Sequence, residues 1–261
     1  MLLWYKYLVL ITHHPLKQKV AIVTGSSRGI GAGIAQYLMK KGFFVYVTFC
    51  TNKKAALSVC KKKKSCRILK LDLRKETDIK KCFDIIKKEH GYLDLLVNNA
   101  NIETPGTTEE IDIDVWKEIF SIRVYGTFLT TKYAIPLLKK SKRSVIVNIS
   151  SSLPIKGRPK YPAHTAAEAA IMSYTRTCAI DLARYDIRCH TVNPTMTRTD
   201  MWKDIGGYED DEMWKRFAKE NPLGRVGTPE DIGKAVYLLT TDETEYWNAN
   251  EIYVNGGLHM K

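Results

Sequence analysis

Two segments of the chain carry residues arranged for chemistry. The run Thr24-Gly25-Ser26-Ser27-Arg28-Gly29-Ile30-Gly31 follows the apolar stretch Val20-Ala21-Ile22-Val23 and opens a helical pattern. Gly25 permits a tight turn, and Gly29 and Gly31 permit close backbone approach to a pyrophosphate and close helix packing. Backbone amides at the start of the following helix, Ile30 among them, offer donors and a favourable dipole to phosphates. Farther along, Ser151 precedes His164 and Glu168. His164 and Glu168 stand four apart, so a helix there places them on one face. An imidazole can carry a proton near neutral pH, and a carboxylate one turn away favours its charged form.

The glycine-rich turn is informative because of its context. It follows a strand pattern, opens a helix and begins a βαβ unit, which is the setting of a dinucleotide site. The end of the second strand bears on which dinucleotide. A carboxylate there would accept from the ribose 2′-hydroxyl of NAD. The residues present are Phe49, Cys50 and Thr51, followed by Asn52, Lys53 and Lys54, with Arg28 in the glycine turn. A cationic site without a carboxylate favours the 2′-phosphate of NADP over NAD.

The elements that must position these residues alternate along the chain. Strand patterns cover Val20 to Thr24, Phe43 to Phe49, Arg67 to Leu71, Leu93 to Val97, Ser144 to Ile149, Ile187 to Val192 and Glu251 to Val254. Helical periodicity covers Ile30 to Lys41, a lysine-rich segment, Asp78 to Glu89, a long stretch from Val115 to Leu138, Ala163 to Arg184 and the residues after Pro229. Thr199 to Pro222 is irregular around one amphipathic helix. Parallel crossovers need a connecting helix, so this alternation predicts an α/β fold. The sheet is expected to be a single Rossmann-type doubly wound one of about seven parallel strands, with helices on both faces. Ligands then bind at the carboxyl ends of the strands, near the switch in strand order.

At 261 residues the chain is long enough for one well-packed domain, and no linker or repeat divides it. The expected organisation is an N-terminal extension, residues 1–16, followed by one domain over 17–261. The extension is apolar to Thr12 except for Lys6, too short to span a bilayer and without a small-residue cleavage site. No stable membrane insertion is expected. The net charge of +13 is concentrated between Lys53 and Lys88, including Lys61-Lys62-Lys63-Lys64. A solvated face accounts for such a run, and attraction to an anionic partner is the alternative. No zinc spacing or other nucleic-acid motif accompanies it, so specific nucleic-acid binding is not expected. The six scattered cysteines, with no CxxC pair, read as reduced thiols of a cytoplasmic protein, and no metal site is expected.

Several ordered motifs together resemble the short-chain dehydrogenases/reductases, nearest in type to the 3-oxoacyl-carrier-protein reductases. They are the Thr24–Gly31 turn, Leu71-Asp72-Leu73, Asn98-Asn99-Ala100, Asn148-Ile149-Ser150-Ser151, Val192-Asn193-Pro194 with Thr199, Gly224-Arg225 through Pro229-Glu230, and Asn255-Gly256-Gly257. The resemblance covers about residues 17 to 258. It implies hydride transfer between a nicotinamide cofactor and a carbonyl or alcohol. It places Asp72 and Leu73 beside the adenine, Asn99 and Ala100 along the adenosine ribose, and Pro194 and Thr199 at the nicotinamide. Gly25, Ser27, Arg28, Gly29, Ile30 and Gly31 would hold the cofactor at the turn. Two glycines of the pattern are replaced, by Asn101 and Thr195, which adds bulk along the cofactor path. A homo-oligomer, dimer or tetramer, is implied by analogy.

The same resemblance exposes a departure in the proton relay. The family uses a tyrosine as acid, a lysine four residues later, a serine and an asparagine on the preceding long helix. Ser151 matches the serine, whereas His164, Glu168 and Arg123 occupy the tyrosine, lysine and asparagine positions. Arg123 can pair with Glu168, which would move the positive charge from one helix to the other. Imidazole is shorter than phenol, and a misplacement of about 1 Å costs on the order of 100-fold in rate. Tyr161 lies seven before Glu168, the spacing used by related enoyl reductases, but the lysine is still absent. Leu153, Ile155, Met201, Trp202, Tyr208, Met213, Trp214 and Phe217 fall in the segments that wall the substrate pocket of relatives; they read either as core or as a lid over a small apolar carbonyl or alcohol. Three functions stay open: an NADP-binding protein whose reductase activity is weak or lost, an active NADP-dependent oxidoreductase with His164 or Tyr161 as proton donor, and a cofactor-independent interaction protein with a basic surface.

Overall fold

Short apolar runs rich in β-branched residues form the sheet, because their side chains are buried on both faces. In the computed structural model, which describes residues 17–61, 63–199 and 211–260, the strands are β1 (Val20–Val23), β2 (Phe44–Phe49), β3 (Cys66–Lys70), β4 (Leu95–Asn98), β5 (Ser144–Ile149), β6 (Ile187–Pro194) and β7 (Glu251–Val254). They pair in parallel in the order β3-β2-β1-β4-β5-β6-β7. The N-terminal extension, residues 1–16, lies outside the described residues, as do Met201, Trp202 and Tyr208.

The two-residue period of the strands divides the core into two layers. Ile22, Tyr46, Leu96 and Ile146 face one layer, built with α3 (Glu76–Glu89), α5 (Gly126–Leu138) and α7 (Pro162–Ala183). Val23, Val47, Val97 and Val147 face the other, built with α1 (Gly29–Lys40), α2 (Lys53–Cys60) and α9 (Pro229–Leu238). Each such side chain contributes about 1.5–3 kcal/mol by leaving water. β1 lies between β2 and β4, so the chain reverses direction across the sheet there. The crevice at the carboxyl ends of β1 and β4 is where this architecture leaves room for a ligand.

Three features differ from the sequence expectation. The stretch expected as one long helix is α4 (Ile113–Phe120) joined to α5 through a π turn, Ser121–Tyr125. A short helix, α6 (Leu153–Lys156), follows β5. The cysteines are not all free thiols: Cys60 and Cys66 form a disulfide, with Cα atoms 5.6 Å apart. Lys61 adopts a left-handed conformation at the end of α2, which turns the chain back so that Cys66 opens β3 beside Cys60. Cys50, Cys82, Cys178 and Cys189 are free. The amphipathic helix of the irregular segment is α8 (Asp211–Glu220), whose Met213 and Trp214 pack with Met196, Phe217 and Val226. Among the described residues no helix is long and apolar enough to cross a membrane, and no group of His, Cys, Asp or Glu gathers as a metal site.

Candidate cofactor cavity and acid-base cluster

The glycine turn is held by side chains from three neighbouring strand ends. The Gly25 amide donates to Thr48 Oγ1 at 2.9 Å, and the Thr48 amide donates to Ser26 Oγ at 2.9 Å. Thr24 Oγ1 accepts from the amides of Asn99 and Ala100 at 2.8 and 3.0 Å. Asn99 returns its own amide group to the carbonyl oxygens of Thr24 and Gly25 at 2.9 and 3.3 Å. Asn99 therefore clamps the turn, and Thr24 and Thr48 complete the cradle. Gly25 has φ +61°, and a Cβ on it would lie 2.8 Å from Ala100 Cα, so only glycine suits the position.

The turn opens onto a cavity of about 560 Å³, within the usual range for a cofactor site. Gly25, Ser27, Arg28, Gly29 and Ile30 line it at the start of α1. Asp72, Leu73, Asn99 and Ala100 line the end beside β3 and β4, and Pro194 and Thr199 line the far side. Gly31 does not line it. It faces the turn itself, where a Cβ would sit 2.5 Å from Asn99 Nδ2 and 2.7 Å from the Gly25 oxygen. The positive-φ turn, the helix N-terminus and the length of the cavity from Asp72 to Thr199 fit a dinucleotide.

Ser151, His164 and Glu168 line the same cavity, and Arg123 and Tyr161 do not. Arg123 sits in the π turn, fully buried. An i→i+5 turn shifts the helix register locally, a device common at functional sites. From there Arg123 Nε donates to Glu168 Oε1 at 2.7 Å and Nη2 to Oε2 at 2.9 Å. Nη2 also donates to the Ile149 carbonyl at the end of β5. Burial would raise the Glu168 carboxyl, but the Arg123 charge and its hydrogen bonds outweigh burial and hold it below the ordinary carboxylate range. Tyr161 is buried at the start of α7 with the Arg158 guanidinium 4.0 Å above its ring.

Two further residues, Asn101 and Glu103, join this cluster. Asn101 Nδ2 lies 3.1 Å from Glu168 Oε1 and 3.1 Å from His164 Nδ1. The bulk noted at this glycine position is thus a bridge between the two α7 residues. Glu103 Oε1 lies 3.1 Å from His164 Nε2. With the Asn101 amide group so oriented, Nδ1 of His164 faces the Asn101 donor and Nε2 faces the Glu103 carboxylate. Asn101 was detectable only as a missing glycine. Glu103 belongs to no motif, and only the path of the loop after β4 brings it to α7. Ser151 Oγ accepts from the Leu153 amide at 3.1 Å, facing the cavity beside Leu153. Ile155, one of the expected wall residues, is exposed.

The end of the cavity beside β3 contains one more residue that the motifs did not identify. Arg74 donates through Nε and Nη2 to the two oxygens of Asp72, each at 2.9 Å, and through Nη1 to Glu118 at 2.8 Å. These hydrogen bonds hold the Asp72 carboxyl below its ordinary range. Asp72 is engaged before any adenine reaches it.

Comparison with known proteins gives a consistent picture. The profile of the family described as Enoyl-(Acyl carrier protein) reductase matches residues 25–259. The chain is 31% identical over 94% of its length to a tetrahydroxynaphthalene reductase of Pestalotiopsis fici, covering 93% of that protein. It is likewise 31% identical over 94% of its length to the 3-oxoacyl-[acyl-carrier-protein] reductase of Haemophilus influenzae, covering 100% of it. Among solved structures, the ligand-free aldohexose dehydrogenase of Thermoplasma acidophilum superposes with a TM-score of 0.85 at 28% identity, over 94% of this chain and 95% of that one.

Proposed function

The chain belongs to the short-chain dehydrogenase/reductase family, and on that premise we propose that it binds NADP(H) while its ordinary carbonyl reductase activity is weak or lost. When bound, the nicotinamide supplies a hydride to a carbonyl carbon or takes one from an alcohol. The carbonyl oxygen then needs a proton from the protein.

The observation that carries this reading is the state of His164 and Glu168. Both ring nitrogens of His164 are engaged, by Asn101 and Glu103, in a buried position. Both carboxylate oxygens of Glu168 are engaged by Arg123. Among the described residues that line the cavity there is no lysine ammonium to lower the pKa of a proton donor and hold the ribose hydroxyls. The positive charge of Arg123 is neutralised inside the protein and does not reach the cavity. Ser151 remains to orient a carbonyl oxygen, with no tuned acid beside it.

Cofactor choice rests on the absence of a carboxylate among Phe49, Cys50 and Thr51 and on the cation Arg28 in the turn. A homo-oligomer is supported by Tyr125, Phe128 and Ile180, large apolar side chains exposed on the long helices. Four of the six cysteines are free thiols, as in a reducing, cytoplasmic setting, where the Cys60–Cys66 disulfide would be open to reduction. A small apolar carbonyl or alcohol remains the substrate class, since Leu153 and Met196 line the cavity.

A second reading is favoured by the Glu103 contact. His164 turning from Glu103 toward a carbonyl oxygen at Ser151 would place an imidazole N–H where a proton donor is needed. Tyr161 lacks a comparable contact with the cavity. Fluorescence titration with NADPH and NADH, followed by an NADPH oxidation assay over a panel of ketones, tests both readings. Tight NADPH binding with negligible turnover is the expected result. Turnover that is abolished by His164→Ala would establish the second reading, and no binding of either cofactor at millimolar concentration would remove both.

A further inference from the structure

The end of β2 presents no charged side chain to the cavity, yet one guanidinium stands at that place. Arg74 comes from the turn after β3, the neighbouring strand, and lines the cavity together with Cys50, Thr51 and Asn52. Its Nη2 lies 4.0 Å from Cys50 Sγ. In dinucleotide folds the residue at the tip of this strand meets the 2′ position of the adenosine ribose, and a nearby arginine accommodates a 2′-phosphate. We propose that Arg74 is the residue that recognises the 2′-phosphate, supplied across the sheet from β3 instead of from β2. This assignment rests on the NADP(H) reading above and adds to Arg28 a second guanidinium, at the 2′ position.

The geometry of the guanidinium explains how it would act. Its Nε and Nη2 fork onto Asp72, which is mostly buried and fixes the plane of the group. Its Nη1 is spent on Glu118, a half-exposed carboxylate on α4. A half-exposed pair of this kind is easily exchanged. A phosphate dianion offers a stronger, multidentate acceptor for the same guanidinium. The phosphate thus displaces Glu118 while Asp72 keeps the arginine in place. A ribose bearing a free 2′-hydroxyl gives Arg74 no reason to leave Glu118. Glu118 then acts as the internal competitor that makes the site discriminate between the two cofactors.

The test is the ratio of NADPH to NADH dissociation constants, measured by fluorescence titration on the full chain and on Arg74→Gln, Arg74→Lys and Glu118→Gln. Arg74→Gln is expected to weaken NADPH about tenfold or more and NADH less than about twofold. Arg74→Lys is expected to keep part of the preference, because a point charge remains without the fork. Glu118→Gln is expected to tighten NADPH and leave NADH unchanged. Glu118→Gln leaves the Asp72 fork intact and keeps the test decisive if Arg74→Gln folds poorly. A wild-type chain without NADPH preference would overturn the cofactor reading and this assignment with it. A preference that survives intact in Arg74→Gln, or equal weakening of both cofactors, would overturn the assignment of Arg74 alone.

Discussion

Arg123 and Glu168 form a forked ion pair, 2.7 and 2.9 Å across, with both side chains buried between the π turn and α7. Their charges cancel inside the protein, away from the cavity that Glu168 lines. The pair is also incompletely satisfied, since Nη1 of Arg123 has no hydrogen-bond partner among the described residues. Its value to stability is therefore expected to be asymmetric.

Removing one member leaves a buried uncompensated charge, so Arg123→Met or Glu168→Leu alone should each cost about 3–5 kcal/mol. Replacing both, as Arg123→Met with Glu168→Leu, should cost much less than either single change, because the desolvation of both ions is relieved. Urea unfolding of the four members of this cycle measures the difference. Equal losses in the single and double variants would show that the pair is not the unit described.

Acid should weaken the fold in two stages. Burial, reinforced by the nearby Arg188 charge, lowers His190 from an ordinary 6.5 to about 4. The unfolded chain then binds a proton that the folded chain refuses, so stability falls as pH drops from about 6.5 toward 4. The shift corresponds to roughly 3 kcal/mol. Glu168, held below the ordinary carboxylate range, contributes stability that is present above its unfolded value and lost as pH falls through the lower folded one. His190→Gln should flatten the upper stage and leave the lower one, read as urea midpoints against pH. An unchanged upper stage in that variant would exclude His190 as its source.

Thiol reactivity should follow burial and the Cys60–Cys66 disulfide. In the native protein Cys50, exposed at the cavity mouth, is the thiol expected to react first. Denatured without reductant, the chain should label at Cys50, Cys82, Cys178 and Cys189 and leave Cys60 and Cys66 unlabelled. Mass spectrometry of the labelled peptides reads this directly. Labelling of Cys60 and Cys66 under those conditions would show that the bridge is absent.

What could be read from sequence, and what could not, divides along the range of the forces involved. The strands were legible because runs such as Val20–Val23 and Ser144–Ile149 are buried on both faces and need no context. The glycine turn was legible because backbone conformation at Gly25 excludes other residues. The π turn left no mark, since one extra residue in a helical register does not disturb an already apolar pattern. The disulfide was invisible because it depends on the reversal at Lys61. Tyr161 looked well spaced from Glu168, but α7 starts at Pro162, and Tyr161 packs beneath Arg158 outside the cavity lining. Asn101, Glu103 and Arg74 act through contacts whose loop paths are set only by the folded chain.

A cavity that holds NADP(H) without a tuned proton source should bind the cofactor and reduce ketones poorly. The most direct measurement is NADPH oxidation over a ketone panel by the wild type beside the triple variant Arg123→Asn/His164→Tyr/Glu168→Lys. Arg123 must change with the others, because a lysine at 168 would otherwise meet a buried guanidinium. The account predicts that both proteins bind NADPH, that the wild type turns over negligibly and that the triple variant gains on the order of 100-fold or more in rate. Robust wild-type turnover, lost on restoring the tyrosine and lysine, would contradict it.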